Sequence, residues 1–148
     1  MNLTEISLLL ADDDPDDCLF FEEALDELPF SVQLTCVNNG EELMLFLAQE
    51  NQVLPTILFL DLNMPRKNGL ECLIEIKRND KLKALPIIIY STSLDTKTAE
   101  IMYDLGAHHY IRKPSEFSKL KDVIGTAIQL TVQSSCTQPD KDNFIIQI

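Results

Sequence analysis

Short, wholly apolar runs alternate along the chain with stretches in which apolar residues recur every three or four positions. This is the pattern of a parallel sheet joined by crossover helices. Ile6 to Ala11 is a short run that is apolar but for Ser7, as expected of a strand covered on both faces. Pro15 to Leu28 then carries Cys18, Phe21, Leu25 and Leu28 at helical spacing and stops at Pro29. Val32 to Val37 predicts a second strand, and Asn38-Asn39-Gly40 turns the chain into a helix that carries Leu43 and Leu47. Thr56 to Leu60 predicts the third strand and Leu70 to Arg78 the third helix. Residues 86–90 form the fourth strand, followed by a helix from Thr96 to Leu105 that Gly106 stops. His109 to Ile111 is a short fifth strand, and Glu116 to Leu130 closes as a helix.

Five strand and helix pairs predict one α/β domain over residues 1–131 and a tail over 132–148. The tail reads as linker-like from Val132 to Asn143, ending in an apolar segment, Phe144 to Ile148, for which packing on the domain or on a second copy and disorder are equal alternatives.

At 148 residues the chain can bury one sizeable core. Its net charge of −12 disfavours unaided contact with nucleic acid or anionic membranes. Met1 to Glu5 lacks the basic flank and apolar run of a secretory signal, and no stretch approaches membrane-spanning length, so a cytoplasmic location is expected. Cys18, Cys36, Cys72 and Cys136 are scattered without a C-x-x-C pair, which indicates packing residues rather than a zinc site or a disulfide framework.

Ligands of open α/β sheets bind beyond the carboxyl ends of the strands. After the predicted strands stand Asp12 and Asp13, then Asp61 and Asn63, then Ser91, then Lys113. Each alone has an ordinary reading: an aspartate as a helix cap or turn residue, the lysine as a solvated surface group, the serine as a turn hydroxyl. Together they are harder to dismiss. Three carboxylates at one edge repel unless a cation lies among them, and hard oxygen donors suit Mg²⁺. A carboxylate between a metal and a lysine could attack phosphorus, which makes Asp61 the natural nucleophile. The remaining aspartates of "LLLADDDPDD" suit helix initiation: Asp14 as N-cap before Pro15, Asp16 and Asp17 in the first turn.

With these residues in place, the chain resembles the receiver domains of two-component response regulators from about Glu5 to Leu130. The resemblance is carried by "LLLADDDP", "LFLDLNMPRKNG", "PIIIYSTS" and "YIRKP", in that order. It implies a flavodoxin-like (βα)5 three-layer sandwich with a five-stranded parallel sheet of order 2-1-3-4-5. It makes Asp61 the phosphoacceptor, with Mg²⁺ ligated by Asp13, Asp61 and the backbone carbonyl of Asn63, and Asp12 acting largely through water. Ser91 would hydrogen-bond the phosphoryl group, Lys113 would pair with it, Tyr110 would be the switch aromatic, and Lys113-Pro114 a cis peptide. Thr92 departs from the small alanine common there, and Asn63 and Ser93 occupy positions that influence phosphoryl hydrolysis.

The implied function is a single-domain response regulator that is no enzyme beyond slow self-dephosphorylation. Its expected partners are a histidine kinase or phosphotransfer protein and a downstream target protein. A homodimer through the face of helix 4, strand 5 and helix 5 is compatible with the resemblance. "KRNDKLKALP" further resembles stand-alone regulators partnered with phytochrome-type and other hybrid kinases.

Three other readings compete. A haloacid dehalogenase-type hydrolase wants a second acid two residues beyond the nucleophile, where this chain has Asn63. An FMN carrier would cradle phosphate where this loop is acidic. A degenerate, constitutive receiver scaffold is disfavoured by the complete acceptor set. His108 and His109 read as packing residues of a loop or strand edge.

Overall fold

The computed structural model describes residues 6–50, 53–134 and 137–147. Met1 to Glu5, Cys136 and Ile148, included in the readings above, lie outside the described residues. In chain order the elements are β1 (Ile6–Ala11), α1 (Pro15–Asp26), β2 (Val32–Val37), α2 (Gly40–Leu47), β3 (Ile57–Leu60) and α3 (Gly69–Arg78). They continue with β4 (Ile87–Ser91), α4 (Thr96–Asp104), β5 (His109–Arg112), α5 (Phe117–Gln133), a 3-10 turn at Lys141–Asn143, and β6 (Ile145–Ile146).

The strands form one parallel sheet of order β2-β1-β3-β4-β5-β6. The flavodoxin-like order expected for the first five is present. The expectation of five strands is corrected by the sixth, which pairs Ile145 with Tyr110 and Ile146 with Ile111. Burial explains the addition: Phe144 and Ile146 are 2 % and 7 % exposed, so the apolar end covers the edge of β5 and gives its backbone groups partners. Before it, α5 runs to Gln133, three residues beyond the expected end, with Thr131 and Val132 buried.

The central strands β3 and β4 are buried along their whole length, as continuous apolar runs between two helical layers must be. Their period-two alternation divides the core. Leu9, Leu58, Leu60, Ile87 and Ile89 meet α2, α3 and α4 on one side. Leu8, Leu10, Phe59, Ile88 and Tyr90 meet α1 and α5 on the other, where Phe21, Phe59 and Tyr90 stack edge to face. Register then aligns the strand ends, because Ala11 lies opposite Leu60 and Leu60 opposite Ile89, with Ile89 opposite Tyr110. The residues that follow emerge at one edge.

Among the described residues, Cys18, Cys36 and Cys72 are free thiols. The Lys113–Pro114 peptide is trans, which corrects the cis geometry implied by the resemblance and is the isomer X–Pro bonds ordinarily favour. Among the described residues, no helix is long and apolar enough to cross a membrane.

Candidate functional site

Asp12 and Asp61 are the first residues past β1 and β3, and the sheet ladder continues through their backbones. The Asp61 amide donates to Ala11 O at 3.0 Å and the Asp12 amide to Val37 O at 3.0 Å. Both side chains are therefore drawn in at the sheet's rim, with Asp12 fully buried and Asp61 5 % exposed, while Asp13 is exposed. Carboxylate oxygens of these three residues lie within 4.8 Å of one another.

Lys113 reaches the same point from the end of β5, where its amide donates to Ser91 O at 2.7 Å. Its ammonium is 2.7 Å from Asp12 Oδ2, 2.8 Å from Asp17 Oδ2 and 3.6 Å from Asp61 Oδ2, and it stands 5.0 Å from the centre of the Tyr90 ring. Burial alone would lower the lysine's pKa, but its hydrogen bonds to Asp12 and Asp17 outweigh that effect and raise it, so the side chain stays charged.

Burial has the opposite consequence for the acids. Asp61 is pushed up to about 6, mainly by desolvation, against the pull of Lys113 and with help from the charge of Asp12. Asp12 is raised for the same first reason. The Lys113 ammonium thus faces the carboxylates of Asp12, Asp17 and Asp61, with Asp13 beside Asp12 and Asp61, and the excess negative charge favours a further cation. The all-oxygen donor set fits a hard divalent ion.

The loop after β3 is folded tightly beneath Asp61. The Asn63 amide donates to Asp61 Oδ1 at 3.3 Å, and Lys67 N bonds Pro65 O across Arg66, whose φ is +68°. Gly69 returns the chain so closely that a Cβ there would collide with Asp61 O and come within 2.8 Å of Leu62 Cα. Asn68 caps α3 reciprocally with Glu71 and holds the loop's far end.

Ser91, buried at the end of β4, receives the Ser93 amide on its Oγ at 3.4 Å. The Tyr110 hydroxyl donates to Ser93 O at 2.6 Å, and its ring is fully buried. The structure therefore gathers Asp12, Asp13, Asp61 and Lys113 at one point, and ties Ser91 to Tyr110 through Ser93.

Sequence reasoning missed the pocket contact of Asp17. That residue does stand in the first turn of α1, behind Asp14, whose side chain accepts from the Asp16 amide, yet its carboxylate is turned to Lys113. The only signal was its place one helical turn beyond Asp13 and Asp14, on a helix that starts at the sheet's rim. The two histidines pack as expected. His108 Nδ1 accepts from Ile87 N, and His109 Nδ1 lies 3.2 Å from Phe144 O.

A doubly wound parallel sheet with an acidic pocket at its carboxyl edge and a lysine from β5 defines a flavodoxin-like α/β protein. Within that class the chain belongs to the response regulator receiver domain family, whose sequence pattern it matches over residues 8–125. It is 32% identical over 117 residues to response regulator Rcp1 of Synechocystis, covering 76% of this chain and 80% of Rcp1. It is 29% identical to a probable chemotaxis protein CheY of Rhizobium etli, covering 84% of this chain and 94% of that protein.

Two solved structures agree. The phosphorylated cyanobacterial phytochrome response regulator RcpA superposes with a TM-score of 0.79 at 32% identity, over 93% of this chain and 100% of that one. The Mn²⁺-bound form of Rcp1 superposes with a TM-score of 0.77 at 30% identity, over 90% and 99%. Receiver domains of this family accept phosphoryl groups from histidine kinases or phosphotransfer proteins and are in general not enzymes in their own right.

Proposed function

We propose that this chain is a single-domain response regulator in which Asp61 accepts the phosphoryl group. The observation that carries the reading is the convergence of Asp12, Asp13 and Asp61 within 4.8 Å, with the Lys113 ammonium 3.6 Å from Asp61 Oδ2. The carboxylate oxygen attacks phosphorus of a phosphohistidine donor. A P–O bond forms, the P–N bond breaks, and the imidazole leaves as the neutral base once it has taken a proton. Lys113 holds positive charge beside the oxygens where negative charge accumulates. Asp12, Asp13, Asp61 and the backbone carbonyl of Asn63 would hold Mg²⁺, which when bound supplies further charge neutralisation at the same oxygens.

Once the acyl phosphate exists, the Ser91 hydroxyl donates to it and Lys113 pairs with it. Movement at Ser91 passes through Ser93 to Tyr110 and so to the surface of α4, β5 and α5. A downstream protein reads that surface, and water slowly returns Asp61 to its carboxylate. The location belonging to this reading is the cytoplasm, and the relatives' names point to a light-sensing kinase as one kind of donor.

The test is incubation with acetyl phosphate, with and without Mg²⁺, followed by intact mass. One added phosphoryl group that requires Mg²⁺ and disappears in Asp61→Asn is expected. Labelling that persists in that variant would remove Asp61 from the role, and rapid multiple turnover of small phosphoesters would instead favour a hydrolase.

A further inference from the structure

The segment Gln138 to Ile146 is seated on α4 and β5 by contacts that converge on Tyr110. Gln138 Nε2 donates to Tyr103 O and to Ala107 O, both at 2.8 Å, and the Tyr103 hydroxyl donates to Pro139 O at 2.9 Å. The Phe144 ring stands edge-on to Tyr103 and Tyr110, with ring centres 5.2 and 6.4 Å away. Its carbonyl accepts from the Tyr110 amide at 3.1 Å, and Ile145 is the strand partner of Tyr110.

Tyr110 is thereby gripped from two sides. Its hydroxyl is held inward by Ser93 O, two residues past Ser91, and its outer side is covered by Phe144. Without the cover, an aromatic on an edge strand would meet water and its outward rotamers would open. The inward tyrosine and the seated tail therefore belong to one state.

We propose that the tail is a ligand supplied in cis that selects the inward position of Tyr110 and so favours phosphorylation of Asp61. The proposal rests on the reading of Asp61 as phosphoacceptor. A phosphoryl group that draws the Ser91 hydroxyl toward itself makes room for the tyrosine to lie inward, and the tail stabilises that same arrangement. Two ligands that favour one state strengthen each other's binding by the same factor. A further consequence is that a partner approaching the sheet edge meets Ile145–Ile146 instead of β5.

The experiment measures beryllium fluoride binding, with Mg²⁺, to the full chain by calorimetry. Three variants are compared with the wild type: Phe144→Ala, Tyr103→Phe and Asp61→Asn. Phe144→Ala is expected to weaken binding by roughly fivefold or more. Tyr103→Phe removes one oxygen, leaves Phe144 in place and should weaken it by a smaller factor. It decides the matter if Phe144→Ala does not fold. Bound fluoride should also slow hydrogen exchange of the tail amides in the wild type.

Folded tail variants that bind as tightly as the wild type, or more tightly, overturn the coupling alone, provided that Asp61→Asn abolishes binding. Wild-type protein that binds no beryllium fluoride, or binds it equally in Asp61→Asn, overturns the Asp61 reading and the coupling with it.

Discussion

Lys113 Nζ lies 2.8 Å from Asp17 Oδ2, so the first turn of α1 holds the ammonium that β5 contributes to the acidic pocket. This contact must loosen if Lys113 is to turn fully to a phosphoryl group. Asp17→Asn removes a negative charge near the incoming anion and leaves Lys113 only a neutral, weaker acceptor there. Labelling of Asp61 by acetyl phosphate should rise by roughly fivefold, the effect of about 1 kcal/mol when a charged hydrogen bond is exchanged for a neutral one. Lys113→Met should act in the opposite direction. Lower labelling in Asp17→Asn would mean that Asp17 positions the lysine rather than competing for it.

Asp13 offers a clean view of the cation, because it is exposed and its replacement disturbs no core packing. An ion that binds only the folded state raises the melting temperature by mass action. Millimolar Mg²⁺ should raise the Tm of the wild type and do so much less for Asp13→Asn, and a chelator should abolish acetyl phosphate labelling. Equal shifts in both proteins would place the ion elsewhere.

Gly69 is required by close approach, since a Cβ would strike the carbonyl of Asp61 itself. Gly69→Ala should destabilise the fold by about 2 kcal/mol, in the range of overpacked sites, and should also depress labelling by moving Asp61. Thermal unfolding and intact mass report the two effects separately. Unchanged stability would show that the loop has room the geometry denies it.

His109 gives a pH signature to the seat of the tail. Burial lowers its pKa from 6.5 although Nδ1–H donates to Phe144 O, so the neutral ring is the folded form. Between the lowered folded value and 6.5 the unfolded chain binds more protons. Stability from this residue is therefore complete above 6.5 and is lost as the pH falls through the folded value. In urea titrations, the advantage of wild type over His109→Gln should shrink between about pH 7.5 and about pH 5.5. An advantage that stays constant across that interval would argue against a buried neutral histidine.

Much of this protein was legible in one dimension. The apolar runs of β1, β3 and β4 and the helical spacing of α1 and α3 follow from two-sided burial of a parallel sheet, which leaves a periodic trace in sequence. The positions of Asp12, Asp61 and Lys113 at strand ends followed from the same periodicity, because a strand's last apolar residue marks where the chain leaves the core. Asp14 and Pro15 announced the start of α1 through local capping, which needs only neighbours in the chain.

The tertiary structure alone decided what depends on distant segments meeting. Asp17 could be placed on a first turn by its sequence, but its partner Lys113 is brought to it only by the order in which β1 and β5 lie in the sheet. The apolar end could be seen to need cover, yet the cover was set by a ladder with β5 and by the space for Phe144 between Tyr103 and Tyr110. Periodicity records which face of an element is buried. It carries no record of which other element buries it.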